Sequence, residues 1–257
     1  MKSLGLHGCM GVGLVLLGAT GCVAQGFLQN LPPSLATVFE KTVFPEVGAA
    51  QAADLDRDGT AEVVVLTHSP VAGPSSTLVF QSLLMVFARA RVAPGQFPYH
   101  LSATRAESAS GPRAAHVTLR DVGGGPEPEL VWLDRGPDEE GRYSRATILL
   151  YTPDHQPALG EVVRFEVREG WVRVHDLDED GPSELLGFRV AEGQTVCDNL
   201  LLYDEDRWRD LSEVLKALGF ADLRAFQAAR GLQPSGWVTR ELLEALKRDL
   251  SLAPIPE

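Results

Sequence analysis

Two stretches of the chain place acidic residues at alternate positions and close with a glycine and a further acid. DLDRDGTAEVVVL runs from Asp54 to Leu66, and DLDEDGPSELLGF runs from Asp176 to Phe188. Both read DxDxDGxxE ahead of an apolar run. Alternate carboxylates converge only if the backbone wraps around a centre, and glycine permits the sharp turn that wrapping requires. Carboxylates held so close repel one another unless a cation lies between them. The spacing therefore predicts a hard-cation loop, with calcium as the ion. In the first loop the ligands are Asp54, Asp56, Asp58, the main-chain carbonyl at Thr60 and Glu62; in the second they are Asp176, Asp178, Asp180, the carbonyl at Pro182 and Glu184. The alternative is a polar turn whose acids only face water.

A third stretch, DVGGGPEPELVWL from Asp121 to Leu133, aligns at Asp121 and Glu129 but has glycine at the second and third aspartate positions. It is not expected to hold a metal. Three such units at broadly regular intervals indicate a repeat architecture. The loops resemble those of the FG-GAP/VCBS repeat family, whose units form β-propeller blades and carry calcium in loops of this kind. That resemblance implies an antiparallel β region over residues 43–208. Strand signals agree, since EVVVLTHS, AAHVTLRDV, ATILLYT and GWVRVHDL are rich in β-branched and aromatic residues and are bounded by turn formers. Closed propellers have about four to eight blades, so three units predict an irregular or partial propeller-like assembly.

After Trp208 the apolar period lengthens to that of helices. Asp210 and Glu213 form a capping-box pattern, with Val214, Leu215 and Leu218 on one face before Gly219. Leu223, Phe226 and Ala229 mark a second helix ending at Gly231; Thr239 opens a third that aligns Leu242, Leu243, Leu246 and Leu250. The expected fold is thus mainly β with a small α domain, a three-helix bundle over residues 209–250 and a tail over 251–257. LRAFQAARGLQPSGWVTRELLEALK resembles the second half of the peptidoglycan-binding type 1 domain at Phe226, Gln227, Gly231, Leu232, Pro234, Gly236, Thr239 and Leu243. The family's upstream repeat is absent. The resemblance implies a glycan partner, for which Gln227, Arg230 and Trp237 are the candidate contacts. Each also has a structural role open to it.

The N-terminus has one cation, Lys2, then an interrupted apolar stretch and the small residues Gly18 to Gly21 before Cys22. That is the layout of a secretory signal peptide over residues 1–22, followed by a linker over 23–42. Small residues before a cysteine resemble the lipobox of bacterial lipoproteins, which implies lipidation at Cys22 and a membrane anchor. Cleavage after Ala24 would instead leave a soluble secreted chain. Either outcome puts the protein in the cell envelope or outside the cell. The cysteines Cys9, Cys22 and Cys197 then form no disulfide framework, and Cys197 reads as a buried thiol.

With 35 acidic against 23 basic residues and a formal charge of −12, the chain is ill suited to nucleic acid. The six histidines show no HExxH spacing, and GxSxG is absent. Nothing in the motifs argues for catalysis. The expected function is a non-enzymatic envelope binder tethered to peptidoglycan; a protein-interaction module, or a wall hydrolase or regulator, is the alternative.

Overall fold

A computed structural model describes residues 46–72, 78–89, 98–109, 115–123, 128–153, 157–204 and 207–252. The signal segment, with Cys9 and Cys22, lies outside these residues. No helix among the described residues is long and apolar enough to cross a membrane.

Among the described residues, twelve strands form three four-stranded antiparallel sheets, each a simple meander. The first contains β1 (Glu46–Ala53), β2 (Glu62–Ala72), β3 (Leu78–Arg89) and β4 (Tyr99–Ala109). The second contains β5 (His116–Arg120), β6 (Glu129–Asp134), β7 (Arg145–Thr152) and β8 (Ala158–Glu166). The third contains β9 (Gly170–His175), β10 (Glu184–Ala191), β11 (Gln194–Asp204) and β12 (Arg207–Asp210). Three helices follow: α1 (Leu211–Ala217), α2 (Leu223–Ala229) and α3 (Arg240–Leu252). The protein is mainly β with a short helical segment, as its sequence predicts.

The layers are ordered along the chain. Side chains alternate across a strand, so β6 sends Leu130 and Trp132 against Val64, Leu66 and Leu84 of the first sheet. Its intervening Val131 packs with Val172, Leu185 and Leu201 of the third. Likewise Leu185 of β10 faces the second sheet, while Leu186 faces the helices. A strand buried on both faces needs apolar residues at consecutive positions. That is why VVVL and LVWL follow the loops instead of an alternating pattern.

The helices share the third sheet's core. Leu186, Leu200 and Leu202 of that sheet cluster with Val214, Phe226, Leu242, Leu243 and Leu246. The expected boundary at residue 209 falls inside β12, which runs directly into α1. Asp210 accepts from the Glu213 amide, and Glu213 reaches back to the Asp210 amide, giving the predicted capping box. Leu242 donates to Thr239 Oγ1 at 3.3 Å, and Gly219 and Gly231 take the left-handed conformation past α1 and α2. Cys197 lies in this core, where burial pushes its thiol up to about 12.

Several polar groups buried between layers are paired. Asp134 binds Arg145 through two oxygens and accepts from Trp132 Nε1 at 2.7 Å. His68 is also buried, its Nδ1 2.8 Å from Ser82 Oγ. Gly48 leaves room for that ring, since a Cβ there would lie 2.3 Å from Nε2.

Candidate metal loops and the helical segment

Each acidic motif connects the first strand of a sheet to its second. The terminal glutamates Glu62, Glu129 and Glu184 are the first residues of β2, β6 and β10. All three do the same work. One carboxylate oxygen accepts the amide of the residue after the motif's first aspartate: Leu55 to Glu62 at 2.8 Å, Val122 to Glu129 at 2.9 Å and Leu177 to Glu184 at 3.0 Å. This bond recurs even in the middle loop, so the glutamate closes the turn whether or not other acids are present.

The two full loops share a backbone as well. Asp54 accepts from the amides of Asp58 (3.1 Å) and Gly59 (2.8 Å); Asp176 accepts from Asp180 (3.1 Å) and Gly181 (3.0 Å). Arg57 and Glu179 both have φ near +60°, and Gly59 and Gly181 lie at φ +84° and +113°. Left-handed backbone at a non-glycine residue is uncommon, and the DxDxDG spacing alone did not indicate it at Arg57 or Glu179.

In the first loop, Asp54, Asp56 and Asp58 each offer an oxygen within 4.8 Å of the others; in the third, Asp176, Asp178 and Glu184 do so. Three oxygens this close suit one hard cation with bonds of about 2.3–2.6 Å. Each set could hold a metal ion, although the two draw on different motif positions. In the first loop burial, with the charges of Asp58 and Asp54, raises Asp56. Burial, with the charges of Asp56 and Asp58, pushes Glu62 up to about 7 against the opposing Leu55 amide. Among the described residues, no cationic side chain pairs with Asp54, Asp56, Asp58 or Glu62.

The third loop differs. Lys247, on α3, brings Nζ to 3.0 Å from Asp178, 2.8 Å from Asp180 and 2.7 Å from Glu184. Burial opposes its charge, but bonds to Asp180, Glu184 and Asp178 outweigh that and hold the ammonium above the usual lysine range. Arg240, at the start of the same helix, pairs with Glu179 at 3.0 Å. A tethered cation therefore sits among the acids that a free ion would bind. A cavity of about 260 Å³ adjoins it, lined by Pro182, Gly123 and Tyr203 among others. The Thr60 amide donates to Asp58 at 2.7 Å. In the middle loop the Glu129 carboxylate fills the space beside Gly123, 2.6 Å from where a Cβ would stand.

The glycan candidates fare unequally. Gln227 is buried, its amide donating to the Trp237 carbonyl (3.0 Å) and Ser235 Oγ (3.2 Å) and accepting from Gly236 (2.8 Å). It staples the turn before α3 and presents nothing outward. Arg230 pairs with Asp249 and lies over the rings of Phe220 and Phe226. Trp237 is half-buried in that turn.

Comparison of the chain with protein-family models, with curated proteins and with solved structures gives no match.

Proposed function

We propose that this is a non-enzymatic binding protein of the cell envelope, built as an open, propeller-like array of three blades and stabilised by calcium at its acidic loops. The observation that carries this reading is the threefold recurrence of one loop closure, with an uncompensated acidic triad in the first loop. Calcium binding only the folded state would add about 2.7 kcal/mol at a hundredfold excess over its Kd. The third loop takes calcium only by displacing Lys247, so the two loops bind with different affinities. The export and lipid signals at the N-terminus supply the envelope assignment, with Cys22 as the anchor.

In this reading the helical segment meets peptidoglycan through Trp237, whose ring is suited to stacking on a sugar face. A second reading has a specific observation in its favour. Gln227 and Arg230 are engaged internally and the helices bury the third sheet, as a terminal cap does in a repeat array. The segment then only caps the array, and the protein's partner is another protein.

Co-sedimentation of the full chain with insoluble peptidoglycan, beside a Trp237→Ala variant, separates the two. Sedimentation that is lost in the variant supports wall binding. No sedimentation of either protein supports the capping role. Release of soluble muropeptides would overturn both and make the protein a hydrolase. Deleting the helices is a poorer test, because it strips the third sheet's core.

A further inference from the structure

Acidic residues outnumber basic ones in this chain, yet one of its clefts is lined by none. The cleft, about 580 Å³, lies between β5 of the second sheet and β9 of the third and presents Arg120, Arg142, Arg173, His116 and His175. It arises from the same alternation that builds the core. On β5, His116, Thr118 and Arg120 alternate with Val117 and Leu119, which face the first sheet. On β9, Trp171, Arg173 and His175 alternate with Val172 and Val174, which face the second.

The arginines are not equivalent. Arg142 lies 3.9 Å from the centroid of the Trp171 ring and pairs with Asp138 and Glu140, so its position is fixed and its charge offset. Arg173 lies over Phe188, which stacks on Trp171 at 5.9 Å. Neither Arg120 nor Arg173 has an ion-pair partner among the described residues. Trp171 Nε1, in the cleft wall, is buried with no hydrogen-bond partner, which is a cost unless something supplies an acceptor.

We propose that this cleft binds an extended acidic peptide. Guanidinium forks match carboxylates in shape and charge, and a ring-stacked arginine is already ordered for the task. The volume falls within the range of ligand sites. Alternate residues on a strand stand roughly 6.6–6.8 Å apart, which is also the spacing of acids at every second position of an extended peptide. Each strand presents one arginine to the cleft, Arg120 on β5 and Arg173 on β9, and an extended chain with several such acids can meet both. Because the rest of the molecule is acidic, binding is confined to the cleft and falls as salt rises.

The test is fluorescence anisotropy of a short labelled peptide of alternating glutamate and alanine, titrated with the full chain at low and at physiological ionic strength. Saturable binding is expected, weakened at least roughly tenfold in Arg120→Glu/Arg173→Glu. It is expected to be unchanged in Arg164→Glu, whose arginine is exposed on β8 and pairs with Glu161. Circular dichroism checks that the variants fold. Absence of saturable binding at low ionic strength overturns the proposal, as does equal loss in the Arg164 variant. An alternating glutamine–alanine peptide that binds equally well would also overturn it. Displacement by inorganic phosphate at the same concentration as unlabelled peptide replaces the peptide with a small anion. None of these outcomes depends on calcium or peptidoglycan.

Discussion

The first and third acidic loops share a backbone, a glutamate closure and a left-handed turn, and they differ in the side-chain cations that α3 brings to the third. In the first, three aspartates converge with no positive side chain of the described residues against them, and Glu62 is pushed up to about 7 by burial and by its acidic neighbours. In the third, Lys247 reaches in from α3 and bonds to three carboxylates. A motif thus specifies a geometry, and the surroundings decide which cation neutralises it.

Removing the tethered cation should have the largest effect. Lys247→Met leaves Asp178 and Glu184, whose side chains are 4% and 3% exposed, without a counter-charge. Stripping one partner from a buried pair costs about 3 kcal/mol. Urea denaturation in chelator should register that loss, and added calcium should restore most of it by filling the vacated loop. If calcium restores nothing, the third loop is a lysine site alone.

Next is the ion itself. Calorimetric titration of the wild-type chain should reveal a tight calcium site that Asp56→Asn abolishes, together with a stabilisation of about 2.7 kcal/mol at a hundredfold excess. Asp178→Asn should leave the tight site intact. Loss of the tight site in the Asp178 variant, with Asp56→Asn silent, would invert the comparison.

Much of this was legible from sequence because it is local. The acids, the glycine and the apolar run are consecutive, so DxDxDGxxE marked the turn between the first two strands of a sheet; the capping box at Asp210 was equally visible. What escaped is contact between distant segments. Lys247 is 63 to 69 residues from the carboxylates it neutralises, and in the sequence it is one more polar position on an amphipathic helix. Gln227 resembled a ligand contact because the sequence around it can be read while its burial cannot. The Asp134–Arg145 pair and the arginine cleft also depend on which faces of separate strands meet. No periodicity encodes that.

The middle loop, which keeps only Asp121 and Glu129 of the motif's acids, is the control for the terminal glutamate. Glu129→Ala should cost about 2 kcal/mol by orphaning the Val122 amide. Glu129→Gln, which keeps an acceptor, should be nearly silent in denaturation. Glu62→Gln should keep the closure too but weaken calcium binding in calorimetry. Equal effects of the two glutamine variants on calcium would mean that Glu62 serves only the turn.

The smallest effect isolates the backbone. Gly59 and Gly181 have open space where a Cβ would stand, so Gly59→Ala and Gly181→Ala meet no clash and report conformational strain alone. Each should cost about 1 kcal/mol in denaturation with chelator present. The cost should be greater at Gly181, whose φ of +113° lies further from the left-handed region open to alanine than the +84° of Gly59. With calcium added, the Gly59 penalty should also appear as weaker binding, because strain in that loop competes directly with the ion. The Gly181 penalty should not, since Lys247 already holds the third loop closed. Equal losses of calcium affinity in both variants would mean that the ammonium leaves its carboxylates readily and that the loops are alike in function as well as in form.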